Sequence, residues 1–302
     1  MTGDAVATTW QTKPRGGRLG NGFFIVLIRC GGLALAPFFL FWVALYFLVA
    51  APAARRASFN LARHLGRGRF LPGRLWFAFR HFYTFGLLLL DRIAILAADQ
   101  AHKYHIDFIG EENIRNSLRE GKGVVLLTAH LGNWEAMGHL LTRLDAPFCM
   151  VMFDTLDEKL RSTMEDMARH RSFRILHTDG SPPSAAAILT SLREGEIVGM
   201  MGDRVLAGES VEAPFLGGTI DLPVGGYVVA AAAKAPLIYV FAVRRGWRRY
   251  SFHGSEAQHL AYTNRRQKKP DLERWAAEFA QEIETFARRY PYQWGNFFPF
   301  WR

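Results

Sequence analysis

The chain contains 302 residues, half of them apolar and 14% aromatic, which excludes a wholly disordered chain and fits one large domain or two smaller ones. Its two cysteines, Cys30 and Cys149, exclude a disulfide framework and a cysteine-based zinc site, and they fit a reducing compartment. The net charge of +10 arises within residues 1–82, which contain eleven Lys or Arg and one acidic residue. The neutral remainder argues against nucleic acid as a partner.

The N-terminal part contains a long uncharged segment. No charged residue occurs between Arg29 and Arg55, and Leu, Phe, Ala and Val dominate this run of 25 residues. At about 1.5 Å per helical residue, the run is long enough for the ~30 Å hydrocarbon layer of a bilayer. It lacks the polar stripe of a buried core helix and is too long for a cleaved secretory signal, which are the two alternatives. We therefore predict a retained single-pass anchor, whose basic flanks place the rest of the chain in the cytoplasm.

A second apolar and aromatic segment, residues 71–97, is interrupted by the polar side chains of Arg74, Arg80, His81, Asp91 and Arg92. Because these groups make a second span costly, we predict an amphipathic helix at the lipid surface or packed under the following domain. An ordinary core helix is the alternative. Residues 1–98 are thus predicted to form an anchoring region, and residues 99–302 an α/β domain.

Short apolar runs alternate with helical periodicity after residue 100. The predicted strands lie at 105–109, 123–129, 148–153, 173–176, 197–201 and 237–243, and the predicted helices at 111–120, 134–144, 156–170, 184–192, 224–234 and 271–289. Between them, VEAPFLGGTIDLP predicts a hairpin that turns at Gly217-Gly218. This order indicates an α/β fold with a mixed, largely parallel sheet flanked by helices, and the aromatic tail PYQWGNFFPFWR is expected to pack against it.

Polar side chains follow two of these strands at the point where each strand ends. They are His130, Gly132, Asn133 and Glu135 after the strand GVVLLTA, and Asp203 and Arg204 after the strand ending at Met201. In an open α/β sheet the reactive groups gather beyond the carboxyl ends of the strands. His130 is suited to accept a proton near neutral pH, and Glu135 would fix its tautomer. Backbone amides at the start of the next helix could face a developing oxyanion.

The string HLGNWE, preceded by GVVLLTA and located downstream of a predicted anchor, resembles a motif of a known family. It is similar to the His-x4-Asp/Glu motif of the lysophospholipid acyltransferase superfamily, in the lipid A late-acyltransferase branch. Similar features follow in order: the strand end GDR, the segment VEAPFLGGTIDLPVG, and the closing helix that leads into PYQWGNFFPFW. The resemblance covers about residues 100–302.

This resemblance implies a membrane-anchored O-acyltransferase that moves a fatty acyl group from a thioester to a hydroxyl of a lipid or glycolipid acceptor. The implied donor is acyl carrier protein or coenzyme A, with no metal and no bound cofactor. The implied roles are general base for His130, orienting carboxylate for Glu135, and substrate binding for Gly132, Asn133, Asp203 and Arg204. A bacterial-type inner membrane, with the catalytic domain on its cytoplasmic side, is the implied location.

Two other functions stay open. His130, Glu135 and His139 could be the ligands of a metal in a membrane-anchored hydrolase, because Glu135 and His139 are four residues apart on a predicted helix. A non-catalytic lipid-binding protein would also use the anchor and the aromatic tail. If the donor is an acidic carrier protein, the basic run Arg244, Arg245, Arg248 and Arg249 is the expected docking patch.

Overall fold

A computed structural model describes residues 18–96, 100–134, 144, 146–153, 173–206, 208–264 and 266–302. Four helices precede the sheet: α1 (Arg18–Gly31), α2 (Ala36–Ala50), α3 (Pro52–His64) and α4 (Leu71–Leu96). The sheet strands and their flanking helices follow from residue 105, as the sequence predicts. The predicted domain boundary at 98/99 lies outside the described residues and stays a prediction.

The uncharged run that was expected to form one continuous helix is divided among α1, α2 and α3. Gly32 adopts a left-handed φ of +76°, and Pro37, the second residue of α2, has no N–H with which to continue an earlier helix. Ala51 leaves the helical region because Pro52 follows it, and Pro52 then starts α3. Within the described residues, no single helix meets the length and hydropathy needed to cross a bilayer. Helices α2 and α3 meet them only as a pair, bent by 95°.

Helix α2 contacts the rest of the molecule along a narrow stripe. Its buried residues Ala36, Leu40 and Ala44 recur every four positions, and the helix packs against α4. At Gly86 of α4, a Cβ would overlap the side chain of Leu40, so glycine permits the close approach of the two helices. The rest of α2 is mostly apolar, and much of it is exposed.

The α/β domain contains nine described strands. They are β1 (His105–Ile109), β2 (Val124–Thr128), β3 (Phe148–Phe153), β4 (Phe173–Thr178), β5 (Ile197–Met201), β6 (Ser210–Phe215), β7 (Gly218–Pro223), β8 (Leu237–Gly246) and β9 (Arg249–Gly254). The helices are α5 (Glu111–Leu118), α6 (Pro182–Arg193), α7 (Gly225–Ala233) and α8 (Lys269–Arg289). The helices predicted at 134–144 and 156–170 lie outside the described residues, except for Trp134 and Leu144.

Seven strands form one sheet in the order β1-β9-β8-β2-β5-β3-β4. All neighbouring pairs are parallel except β8 and β9, which are antiparallel. This confirms the predicted mixed, largely parallel sheet flanked by helices. Strand β9 was not predicted, because its residues RYSFHG adjoin a basic run that was interpreted as a surface patch.

The hairpin β6–β7 forms a separate two-stranded sheet, as predicted. Its turn consists of Leu216 and Gly217, both with positive φ, so it begins one residue earlier than expected. Helix α8 packs beside the hairpin and buries an apolar face, on which Trp275, Phe279 and Ile283 are fully enclosed. The C-terminal tail packs into the same core through Trp294, as expected from its aromatic composition.

Candidate active site

Strands β2 and β5 are parallel neighbours and end at the same edge of the sheet. Thr128 lies opposite Met201, and the Gly202 N–H donates to the Thr128 carbonyl oxygen over 2.8 Å. His130 and Asp203 each follow their strand by two residues. The register of the sheet therefore brings these two side chains together.

His130 and Asp203 form a hydrogen-bonded pair with two contacts. His130 Nδ1 lies 2.7 Å from Asp203 Oδ1, and the His130 backbone N–H donates to Asp203 Oδ2 over 3.0 Å. Trp294 Nε1 donates to the same Oδ2 over 3.3 Å. Because an ionised carboxylate only accepts, Nδ1 of His130 carries the proton of this hydrogen bond, and the neutral imidazole keeps its lone pair on Nε2.

The two side chains of this pair differ in their exposure to solvent. The Asp203 side chain is 1% exposed, whereas the His130 side chain is 26% exposed. Burial opposes ionisation of Asp203, but the charges of His130 and Arg204 and the hydrogen bonds from His130 outweigh it and lower its pKa to about 2. Asp203 therefore stays a carboxylate throughout the pH range in which His130 can act as a base.

These contacts give Asp203 a different place from the one implied by the resemblance. It was expected to bind substrate beside Arg204, but both of its oxygens are engaged by His130 and Trp294. Glu135, which was expected to orient His130, lies outside the described residues. In the described part of the site, the carboxylate that contacts His130 is Asp203.

The turn after His130 is fixed by its own backbone. The Gly132 N–H donates to the Gln293 carbonyl oxygen over 2.9 Å, and the Asn133 N–H donates to the Ala242 carbonyl oxygen over 2.8 Å. Gly132 has a φ of +78°, and a Cβ there would overlap the Ala242 carbonyl oxygen, so the position requires glycine. These two amides therefore have protein acceptors. The amides at the start of the predicted helix, which the sequence suggested as oxyanion donors, lie outside the described residues apart from that of Trp134.

Asn133 is buried and faces the interior of the molecule. Its Nδ2 group donates to the Leu88 carbonyl oxygen over 3.2 Å and to the Tyr250 hydroxyl over 3.3 Å. Gly132 and Asn133, both expected to bind substrate, are thus held mainly by the protein in this structure. Their described contacts indicate that they shape the turn that carries His130.

Arg204 lies beside the pair and is largely buried. Its Nη2 group donates to the Gly295 carbonyl oxygen over 2.7 Å, and its guanidinium lies 4.9 Å from the centre of the Phe298 ring. Burial lowers the pKa of Arg204, and the charge of Asp203 opposes that shift. Arg204 keeps its positive charge next to the histidine and remains suited to bind an anionic group.

The C-terminal tail closes the site, a role that the sequence did not predict. The Gly295 N–H donates to the His130 carbonyl oxygen over 2.6 Å, while the Gly295 carbonyl oxygen accepts from Arg204. Trp294 contacts Asp203, so two consecutive tail residues touch three residues of the site. The aromatic composition of the tail indicated that it packs, but no spacing indicated where.

Helix α4 contacts the same tail through His81. His81 Nε2 lies 2.7 Å from the Trp294 carbonyl oxygen, and His81 Nδ1 lies 2.9 Å from the Ser58 hydroxyl of α3. Burial lowers the pKa of His81 to about 4, and the hydrogen bond to Trp294 opposes that shift. A neutral His81 therefore donates from Nε2 to the tail and accepts from Ser58 at Nδ1. This arrangement joins the N-terminal helices to the tail at the candidate site.

The sequence is similar to one known family over almost its whole length. The profile described as bacterial lipid A biosynthesis acyltransferase matches residues 18–302, nearly the whole chain. The chain belongs to this family. The match confirms the resemblance that HLGNWE and the features after it indicated, and it supports the prediction that the chain is an acyltransferase.

Curated relatives of this family member carry a more specific name. The phosphatidylinositol mannoside acyltransferases of two Mycobacterium tuberculosis strains are 28% identical over 141 residues, which is 46% of this chain and 45% of the relative. The protein of the same name from Mycolicibacterium smegmatis is 26% identical over 136 residues, 45% of each chain. The matches therefore span slightly less than half the length of these relatives.

The alternative metal site involves residues that the structure does not describe. Of His130, Glu135 and His139, only His130 lies within the described ranges. Among those ranges, no three His, Cys, Asp or Glu side chains cluster in a way that could hold a metal ion.

Proposed function

We propose that this family member transfers a fatty acyl group from a thioester to a hydroxyl of a glycolipid acceptor, with His130 as general base. The observation that carries this proposal is the 2.7 Å contact between His130 Nδ1 and Asp203 Oδ1. It fixes the tautomer that a general base needs, because the protonated nitrogen faces the carboxylate and the basic nitrogen is directed away from it.

The chemistry balances without a metal or a bound cofactor. His130 Nε2 takes the proton of the acceptor hydroxyl as its oxygen attacks the thioester carbonyl carbon, and Asp203 stabilises the resulting imidazolium. When the tetrahedral intermediate collapses, the carbon–sulfur bond breaks and the imidazolium returns the proton to the departing thiolate. The products are an acyl ester and a free thiol, and His130 is again neutral.

The roles of the surrounding charges follow from their contacts. In this proposal, Asp203 has the orienting role that was predicted for Glu135. Glu135 stays a predicted second carboxylate of the site. Arg204 contributes positive charge toward the oxyanion or toward a phosphate of either substrate. Gly132 and Asn133 serve by holding the turn.

The substrate classes are proposed from the family and its relatives. The relatives named phosphatidylinositol mannoside acyltransferase suggest a glycolipid acceptor whose sugar hydroxyl is acylated. Acyl carrier protein or coenzyme A is the proposed donor. The expected patch for a carrier protein is smaller than predicted, because Arg244 points inward to Asp91 while Arg245 and Arg249 are exposed.

A membrane surface is the proposed location of this reaction. Helix α2 exposes Phe38, Trp42 and Tyr46, which are spaced by four and therefore share a face. Arg55 and Arg56 follow directly after the bend into α3, at a place suited to anionic headgroups. We propose that α2 inserts its apolar surface into the cytoplasmic leaflet of a bacterial-type inner membrane, in place of a straight single-pass helix.

Lipid analysis of cells tests the proposed activity. The lipids of cells that produce the wild-type chain are compared by mass spectrometry with those of cells that produce His130→Ala. An acyl ester present only with wild type identifies the product and supports the proposal. The matched control is His105→Ala, since His105 Nε2 forms a comparable 2.9 Å contact with Asp107 on the surface. Identical lipid profiles for wild type and His130→Ala, at equal protein levels, would favour a non-catalytic lipid-binding protein.

A further inference from the structure

A buried carboxylate, Asp91 of α4, lies outside the site described above and accepts three hydrogen bonds. The Tyr104 hydroxyl donates to Oδ1 over 2.8 Å, the Tyr250 hydroxyl donates to Oδ2 over 2.8 Å, and Arg244 Nε donates to Oδ2 over 2.7 Å. The Asp91 side chain is 2% exposed, and the Arg244 side chain 14%. A buried ion pair of this kind is weak evidence for added stability but fixes geometry.

Both tyrosines act as donors toward Asp91. Burial raises the pKa of the Tyr104 and Tyr250 hydroxyls, and the negative charge of Asp91 raises both further. Each hydroxyl therefore keeps its proton and directs it at the carboxylate. The oxygen of each tyrosine remains available to accept a hydrogen bond from a third group.

Tyr250 accepts such a hydrogen bond from the turn that follows His130. Its oxygen accepts from Asn133 Nδ2 over 3.3 Å, and Asn133 also donates to the Leu88 carbonyl oxygen, one helical turn before Asp91 on α4. Tyr104 has no hydrogen bond to this turn among the described contacts. The two tyrosines thus share the same partner, but Tyr250 alone connects it to Asn133.

Arg244 extends the network to the other side of the turn. Its backbone N–H donates to Gln293 Oε1 over 2.8 Å, and its backbone carbonyl oxygen accepts from Gln293 Nε2 over 2.7 Å. The Gln293 carbonyl oxygen in turn accepts the Gly132 N–H. The group of Asp91, Tyr250, Arg244 and Gln293 therefore holds Gly132 and Asn133 from two directions.

We propose that Asp91 and Tyr250 are positioning residues for the reaction: they hold Asn133, and through it the turn that presents His130. This inference rests on the proposed function, since it concerns the rate of that chemistry. Neither residue touches the reacting atoms. The network sets the placement of His130 with respect to a bound hydroxyl, and a small displacement there lowers turnover without weakening substrate binding.

The two tyrosines provide a matched pair of variants. Tyr250→Phe and Tyr104→Phe each remove one hydroxyl that donates to Asp91 over 2.8 Å, from a buried side chain. Tyr250→Phe also removes the acceptor of Asn133 Nδ2, which Tyr104→Phe leaves in place. Any difference in turnover between the variants therefore reports on the link to the turn and not on the loss of a donor to Asp91.

The test uses the full chain in detergent. Long-chain acyl-coenzyme A and the corresponding acyl carrier protein thioester serve as donors, and total membrane lipid of the host serves as acceptor. Thiol release and acyl-ester formation are measured together, and thermal unfolding is recorded for each variant. We expect Tyr250→Phe to lower kcat roughly tenfold at unchanged KM for the donor, and Tyr104→Phe to keep kcat within about twofold of wild type.

The outcomes separate this inference from the proposed function. If wild type releases no thiol and forms no ester with either donor, the proposed function fails. If wild type is active and both tyrosine variants have the same kcat, the positioning role fails.

Should Tyr250→Phe not fold, Asn133→Ala replaces it, because it removes the same link while leaving the three hydrogen bonds of Asp91 intact. A kcat equal to wild type in Asn133→Ala would also overturn the inference.

Discussion

Asp203 is almost completely buried, yet it stays ionised because His130 and Arg204 lie beside it and His130 donates to both of its oxygens. A carboxylate held in this way fixes the histidine ring and its tautomer before any substrate binds. The Trp294 indole contributes a further hydrogen bond to the same carboxylate. At the scale of single residues, preorganisation of this kind is what the proposed proton transfer requires.

Gly132 is the residue whose replacement should distort the site most directly. In Gly132→Ala, the new Cβ would overlap the Ala242 carbonyl oxygen in a left-handed backbone conformation. We expect a loss of about 3 kcal/mol or more in the free energy of unfolding. Gly217→Ala is the control, because its φ is similar but no atom lies within 4 Å of its added Cβ, so it should lose about 1 kcal/mol. Equal losses in chemical denaturation would contradict the argument.

The sequence predicted His130 as the base but not its contact with Asp203. His130 was identified from its position after a strong strand and from the string HLGNWE. Asp203 carries the same signal, since it follows its own strand by the same number of residues. The missing information was that β2 and β5 are adjacent, because β3 and β4 lie between them along the chain and strand order cannot be read from apolar runs.

At the scale of elements, α4 connects the N-terminal helices with the site. It presents His81 to the tail residue Trp294, the Leu88 carbonyl oxygen to Asn133, and Asp91 to the β8–β9 pair. These contacts explain the burial of two of the polar residues that argued against a second membrane span. His81 and Asp91 are buried because they have partners in the α/β domain, which agrees with a helix packed under that domain.

The His81 contacts predict a dependence of stability on pH. The pKa of His81 is about 4 in the folded chain and about 6.5 when exposed, so its contribution is fully present above pH 6.5. It is lost as the pH falls toward 4, because the unfolded chain takes up the proton first. Between pH 7.5 and 4, the free energy of unfolding of wild type should fall by about 3 kcal/mol more than that of His81→Gln. Parallel pH curves for the two chains, from chemical denaturation, would refute this assignment.

Most elements of the α/β domain were predictable, and the exceptions have physical causes. Strands such as β3 and β5 match their predicted bounds because short, fully apolar runs between turn residues leave few alternatives. The prediction of a single helix for the uncharged N-terminal run was wrong, because it relied on the apolar composition of the run and gave too little weight to Gly32, Pro37 and Pro52. Each of these residues interrupts or restarts a helix, so the break was readable from their positions.

At the scale of the whole molecule, the exposed apolar surface and the basic excess lie in the same region. Large apolar side chains of α1, α2 and the start of α4 remain accessible, among them Phe23, Trp42 and Trp76. The Lys and Arg excess lies within the same first 82 residues. This combination is typical of a protein that rests on an anionic lipid surface.

Vesicle binding tests this surface. We expect the triple variant Phe38→Ser, Trp42→Ser and Tyr46→Ser to bind vesicles containing anionic lipid at least about tenfold more weakly than wild type. The control is Trp247→Ser, since Trp247 is similarly exposed but lies in the turn between β8 and β9. Flotation of the triple variant and of Trp247→Ser to the same extent would contradict the proposed role of α2.

The most direct test of the whole account is the acyl-transfer rate of Asp203→Asn, measured as ester formation from a long-chain acyl thioester by the folded full chain. The replacement keeps the shape of the side chain but removes the charge that fixes the tautomer of His130. We expect a loss in kcat of roughly 100-fold or more, whereas Asp107→Asn in the exposed histidine pair should retain wild-type turnover. A rate for Asp203→Asn close to that of wild type, with a large loss in Glu135→Gln instead, would contradict it.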